Sequence, residues 1–146
     1  MGLYFQRDIK QFDDGELDLS TGDLAVTGVQ QSQRQLIITI LTTTRGDMVQ
    51  DHLVGWGGDD YIGRPNAGTT HKIMDKDIGL AFRLAHDLIP EDLDWKVTFA
   101  DQNQAAIIVA HRGTFVEPDG STPSTPIVLG WQYPFETGKI ELVEEA

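Results

Sequence analysis

The chain has no cysteine. Disulfides, thiolate metal sites and cysteine nucleophiles are therefore excluded, and assembly in a reducing cytoplasm fits. Cations are scarce: 11 Lys and Arg stand against 23 Asp and Glu, a formal net charge of −12. Binding a phosphate backbone needs clustered Lys and Arg, so no nucleic-acid partner is expected. No run approaches the roughly 18–20 apolar residues of a membrane-spanning helix, and no membrane partner is expected. The N-terminus shows no basic segment leading into an apolar core, so no secretory signal is expected. Internal repeats are lacking as well.

What is present is a chain of 146 residues, which suits one domain with a genuine core. Its acids are unevenly placed. The first 30 residues carry six acids against Arg7 and Lys10, and the stretch from Gly113 carries six against Lys139 alone. Both ends are acidic, which favours solubility and steers a basic partner.

Period-two patterning appears first. Leu17 and Leu19 alternate with acids, a Ser20-Thr21-Gly22-Asp23 turn follows, and Leu24 and Val26 resume the alternation; two short strands are expected. Thr27-Gly28-Val29-Gln30 has the form of a capping box, with Thr27 as the cap. Val29, Leu36, Ile37, Ile40 and Leu41 then fall on one helical stripe, which predicts a helix over Gln30–Leu41. Local propensity opposes it, because seven of the eight residues from Ile37 to Thr44 are β-branched. Residues 45–70 hold six glycines and read as a long connector, anchored by Leu53, Val54, Trp56 and Tyr61. Long connectors in compact domains tend to be functional. Met74, Ile78, Ala81, Phe82, Ala85 and Leu88 recur at steps of three and four, which predicts a helix over 71–89 stopped by Pro90. Asp75 and Asp77 are placed early in that helix, where its dipole favours acids. Trp95, Val97 and Phe99, then Asp101–Gln104, then Ala105–Ala110 spell a hairpin with a four-residue turn. Its second strand is apolar on both faces and is expected at the centre of a sheet.

From Gly113 the character changes. Glu117–Pro126 is too proline-rich for a core and reads as a linker. Ile127–Leu129 with Trp131 and Tyr133, and Ile140, Leu142 and Val143, are further strand candidates. The expected fold is α+β: a small mixed or antiparallel sheet with two main helices and an extended C-terminal tail. The expected division is a domain over 1–112 and a linker with a strand-forming tail over 113–146.

Catalytic patterns are hard to find. His52, His71, His86 and His111 have no zinc-binding spacing. Asp13-Asp14 and Asp59-Asp60 lack the ligand intervals of a calcium loop. Gly55-Trp56-Gly57-Gly58 lacks the Lys-Ser/Thr of a phosphate loop, and no Gly-x-Ser-x-Gly exists. Glycoside hydrolysis needs two carboxylates across a cleft. Glu91 and Asp101 can be nominated, but with 23 acids in the chain some pair always can. No catalytic, cofactor or metal residue is assigned.

One ordering of residues does stand out. An apolar helix runs into Leu41 and Thr42, turns at Arg45-Gly46-Asp47, and is followed by Gly55 and Trp56. This resembles the baseplate wedge, or sheath-initiator, proteins of contractile-tailed phages and related injection machines. The resemblance covers roughly Asp8 to Arg112. The arginine-containing signature of many relatives is not obvious in 45–70, and the chain beyond Gly113 is longer than the minimal family pattern. The resemblance implies a non-enzymatic structural virion protein of the tail baseplate, present in multiple copies in a symmetric assembly. It implies contact with the tail sheath protein, the tail tube and baseplate wedge and hub proteins, and initiation of sheath assembly. The first helix would bundle with other wedge subunits, and the C-terminal region would share strands with the sheath. The residues nominated as contacts are Leu36, Ile40, Arg45, Trp56, Trp131, Tyr133, Ile140 and Leu142. Because such proteins are also described as lysozyme-like, a tail-associated cell-wall hydrolase is the alternative.

Overall fold

A computed structural model describes residues 3–4, 28–48, 53–85, 87–123 and 125–145. The strands expected around Leu17 and Leu24 lie outside these residues, as do Thr27, His52 and His86.

The disputed segment is helical. Helix α1 runs from Val29 to Thr42 through the β-branched stretch. Burial overrides propensity here: Val29, Ile37, Ile38, Ile40 and Leu41 all enter the core. The threonines are accommodated by back-bonding, with the Thr39 and Thr42 hydroxyls donating to the Gln35 and Ile38 carbonyls at 2.9 and 2.7 Å. The cap is not the one expected. Gly28 occupies the N-cap without a side-chain bond. The Glu117 carboxylate, 88 residues away, accepts from the Val29 and Gln30 amides at 2.9 and 3.1 Å. It satisfies two orphan donors and places negative charge at the positive end of the helix. Glu117 therefore belongs to the helix's support and not to a bare linker.

Helix α2 spans Gly68 to Leu84, starting three residues before the predicted 71 and ending five before 89. Beyond Leu84 tertiary bonds replace helical ones. The Asp87 carbonyl accepts from Gln33 Nε2, and the Ile89 amide donates to the Tyr4 hydroxyl. The earlier start moves Asp75 and Asp77 out of the first turn, which contains no acid. They do not serve the helix dipole there.

The fold is α+β. Strands β2 (Leu93–Asp101), β3 (Gln104–His111), β5 (Ile127–Pro134) and β6 (Glu141–Glu145) form one antiparallel sheet in the order β2-β3-β5-β6. A second, parallel pair joins β1 (Leu3–Tyr4) to β4 (Thr114–Phe115). The hairpin turn is tighter than predicted: Asp101 pairs with Gln104, leaving Gln102 and Asn103 as the loop. An Asx turn closes it, the Asn103 amide donating to Asp101 Oδ1 at 2.8 Å. Strand β3 is central, flanked by β2 and β5.

Alternation sets the two faces of the sheet. Ala105, Ile107, Val109 and His111 of β3 point into the core beside Leu129, Trp131 and Tyr133 of β5. Helix α2 lies against β2. There Gly79 admits the Trp95 ring, since a Cβ at that position would sit 2.8 Å from it. The Trp95 indole N–H donates to the Asp75 carbonyl at 3.0 Å, and its ring meets Phe82 edge-on at 5.4 Å. Strand β5 is thus built into the same sheet and core as β2 and β3. The expected separation of 113–146 as an extended tail is corrected for this strand.

Candidate partner-binding site

The residues that carry the family resemblance converge on one interlock at the C-terminal end of α1. Thr43 leaves the helix in an extended conformation. Thr44 then forms a parallel bridge with Trp56, the Trp56 amide donating to the Thr43 carbonyl and the Arg45 amide to the Trp56 carbonyl. The Asp47 amide closes the Arg45-Gly46 turn on the Thr44 carbonyl at 3.0 Å. The Trp56 indole N–H donates to the Leu41 carbonyl at 2.8 Å, satisfying an orphan acceptor of the helix end. Gly55 has φ +107°, and a Cβ there would stand 2.4 Å from the Thr43 carbonyl oxygen. Only glycine allows this approach.

A single carboxylate ties the interlock to α2. Asp77 Oδ1 accepts from Arg45 Nη2, and Oδ2 accepts from the Gly57 amide and the Tyr61 hydroxyl, each at 2.8 Å. Burial, and next the carboxylate beside it, pushes the Tyr61 hydroxyl well above its ordinary pKa. Trp56, Tyr61, Tyr133 and Phe135 stack into a chain of rings with centroids 5.2 to 6.4 Å apart. The Tyr133 hydroxyl donates to the Gly58 carbonyl. Burial also pushes its pKa up to about 12, so it remains a proton donor across the physiological range.

A cleft of about 250 Å³ opens over this interlock, bounded by Thr42, Thr44, Asp59, Lys139 and Ile140. It joins the turn after α1 to the turn before β6. A second cleft of about 250 Å³ lies at the other end of α1, between Gln31, Arg34, Glu117 and Pro126.

The eight nominated contact residues are placed very differently by the fold. Ile40, Trp56, Trp131 and Tyr133 are buried core side chains, a correction to the expectation that they face a partner. Leu36, Ile140 and Leu142 are half-buried against that core. Arg45 is held by Asp77. Of the eight, Trp56 and Ile140 line the cleft over the interlock, Trp56 as part of its buried floor. Along α1 every side chain except Thr42 is buried or half-buried. The helix that faces outward is α2.

The catalytic candidates do not assemble. Glu91 and Asp101 flank β2 at opposite ends, and the strand between them is about 26 Å long. His71 bonds Asn66 at 2.6 Å. His111 is fully buried, accepting at Nδ1 from the Gly113 amide and therefore donating from Nε2 to Gln33 Oε1 at 3.0 Å. Burial lowers its pKa to about 4. The Tyr4 hydroxyl donates to buried Asp92 at 3.0 Å and packs edge-on against His111. This buried network holds β1, α1 and β3 together. Among the described residues no group of three or more His, Asp or Glu is placed to hold a metal ion, and no helix is long and apolar enough to cross a membrane.

No protein-family profile, no curated protein and no solved structure matches this chain.

Proposed function

We propose that the chain is a non-enzymatic structural subunit of a contractile-tail baseplate, joining wedge and tube to the first sheath ring and initiating sheath assembly. The observation that carries the reading is the interlock. Leu41, Thr42, Gly46, Gly55 and Trp56 resemble the family's residues, and they meet at one rigid junction rather than scattering over the fold. The segment before them is a helix, as the resemblance requires, although its side chains favour a strand. The interlock is built from backbone bonds, ring packing and one shared carboxylate, an arrangement suited to holding a shape. The cleft above it supplies a partner-facing surface beside the turn that leads into β6. Strand β6 is an edge of the main sheet, and an edge strand recruits a further strand through its backbone groups. The partners are the tail sheath protein, the tail tube and the wedge and hub proteins, in the virion.

Mixing the purified chain with the cognate sheath protein, and separately with the wedge proteins, tests the reading. A complex on size-exclusion chromatography is expected with at least one of them. Absence of both complexes sinks it. Turnover of peptidoglycan by the purified chain would favour the hydrolase alternative instead.

A further inference from the structure

We propose that the outward face of α2 is a docking surface for an acidic amphipathic helix on a partner protein. The proposal is independent of the tail reading, since it rests on α2 alone. The chain carries more than two acids for every cation, yet the exposed positions of α2 are Gly68, Thr69, Lys72, Ile73, Lys76, Leu80 and Arg83. None is an acid. The two acids of the helix point elsewhere: Asp77 is bonded to Arg45, Gly57 and Tyr61, and Asp75 is half-buried.

At 3.6 residues per turn, Lys72, Arg83, Lys76, Thr69, Leu80 and Ile73 fall in that order across about 100° of the helix surface. Cations line one side of the stripe and aliphatic residues the other. Ile73 and Leu80 are 47% and 41% exposed and lie seven residues apart, two turns along the same line. Among the described residues neither Lys72 nor Lys76 makes an ion pair. Arg83 Nε donates to the Gly79 carbonyl of its own helix, which fixes the stem while leaving the guanidinium's outer face in solvent.

Such a stripe complements one kind of occupant. Two apolar side chains spaced by seven accept a helix laid alongside, and the flanking cations select acids at the partner's adjoining positions. Nucleic acid fits poorly, because three phosphate contacts release few counterions and a phosphate backbone offers no apolar surface to Ile73 and Leu80.

The test uses the full chain and a stapled helical peptide of about three heptads, with one leucine per heptad flanked by glutamates. Fluorescence anisotropy of the labelled peptide is expected to report saturable binding that weakens several-fold as salt rises. Lys76→Glu with Arg83→Glu is expected to weaken it at least about tenfold, the effect of losing two charge-assisted contacts. Ile73→Ala with Leu80→Ala tests the apolar line without changing charge, and is expected to weaken binding at least about threefold. All four positions are exposed, so the thermal midpoint of each variant checks that the fold is kept. Amide exchange should slow over 72–83 when peptide is bound. The proposal is overturned if the acidic peptide fails to bind, or if a lysine-for-glutamate peptide binds equally. Tighter binding to duplex DNA or to anionic vesicles also overturns it. Self-association that Lys76→Glu with Arg83→Glu abolishes would instead make the occupant a second copy of this chain.

Discussion

Replacing Asp77 by alanine removes the one side chain that joins the turn after α1, the Gly57 backbone and Tyr61 to helix α2. Three donors lose their acceptor at once: Arg45 Nη2, the Gly57 amide and the Tyr61 hydroxyl, all at 2.8 Å. A hydrogen bond to a charged group contributes about 1.5–3 kcal/mol, and bonds sharing one acceptor do not add fully. Arg45 is about a quarter exposed, so water recovers part of its loss. The Gly57 amide and Tyr61 are more enclosed and recover less. The expected cost is about 3–4 kcal/mol, a large share of the 5–15 kcal/mol that typically separates folded from unfolded states. For a chain of this length that corresponds to a fall of roughly 10–15 °C in Tm. Urea denaturation of wild type, Asp77→Ala, Arg45→Met and the double variant measures it. A coupling of at least about 1 kcal/mol between the two positions is expected from the cycle. A loss below about 1 kcal/mol for Asp77→Ala, or strict additivity with Arg45→Met, would refute the claim that this carboxylate holds the interlock together.

Three further outcomes follow from the same geometry. Gly55→Ala meets both a positive φ and a backbone oxygen 2.4 Å from the new Cβ, whereas Gly46→Ala meets a φ of +99° with no atom nearby. Gly46→Ala should therefore cost about 1 kcal/mol and Gly55→Ala at least about 3 kcal/mol in chemical denaturation; equal costs would contradict the packing described. Glu117→Ala should destabilise by about 1–2 kcal/mol through loss of the α1 cap, with Glu117→Gln recovering much of it, as amide exchange at Val29 and Gln30 would report. His111 has a folded-state pKa near 4, below its ordinary 6.5. The stability of the neutral, buried ring is complete above about pH 6.5 and is lost as pH falls towards 4, about 3 kcal/mol in all. Comparing wild type with His111→Gln over that window isolates the effect from the carboxylates, and parallel curves would show that His111 does not titrate as described.

Elements whose signal is local were legible in the sequence. The hairpin over β2 and β3, the central place of β3, the helical stripe of α2 and the α+β class all follow from side-chain periodicity. Helix α1 was legible only by weighing its apolar stripe and the family resemblance against β-branched propensity, because what decides it is burial against partners distant in sequence. The Glu117 cap was beyond local reading, since the acceptor lies 88 residues from the amides it serves. The same holds for Asp77, whose position in the sequence suggests a helix-dipole role and whose three bonds come from Arg45 in the turn after α1 and from Gly57 and Tyr61 in the returning loop. Four of the eight nominated contacts, Ile40, Trp56, Trp131 and Tyr133, lie in the core instead. Large apolar residues such as Trp56, Trp131 and Tyr133 were assigned to partners, yet a chain of this size needs them for its own core. The outward stripe of α2 was the counterpart of that error. Its cations and two aliphatic residues are visible in the sequence, but which arc of the helix faces water depends on the packing of Gly79, Phe82 and Trp95.

A density map of the whole particle, with this chain located in it, tests the proposed role most directly. The proposal predicts multiple copies at the junction of the wedge and the first sheath ring, with β6 or the cleft beside Ile140 in contact with a neighbour. Finding the chain absent from the particle, or placed away from both wedge and sheath, would contradict it.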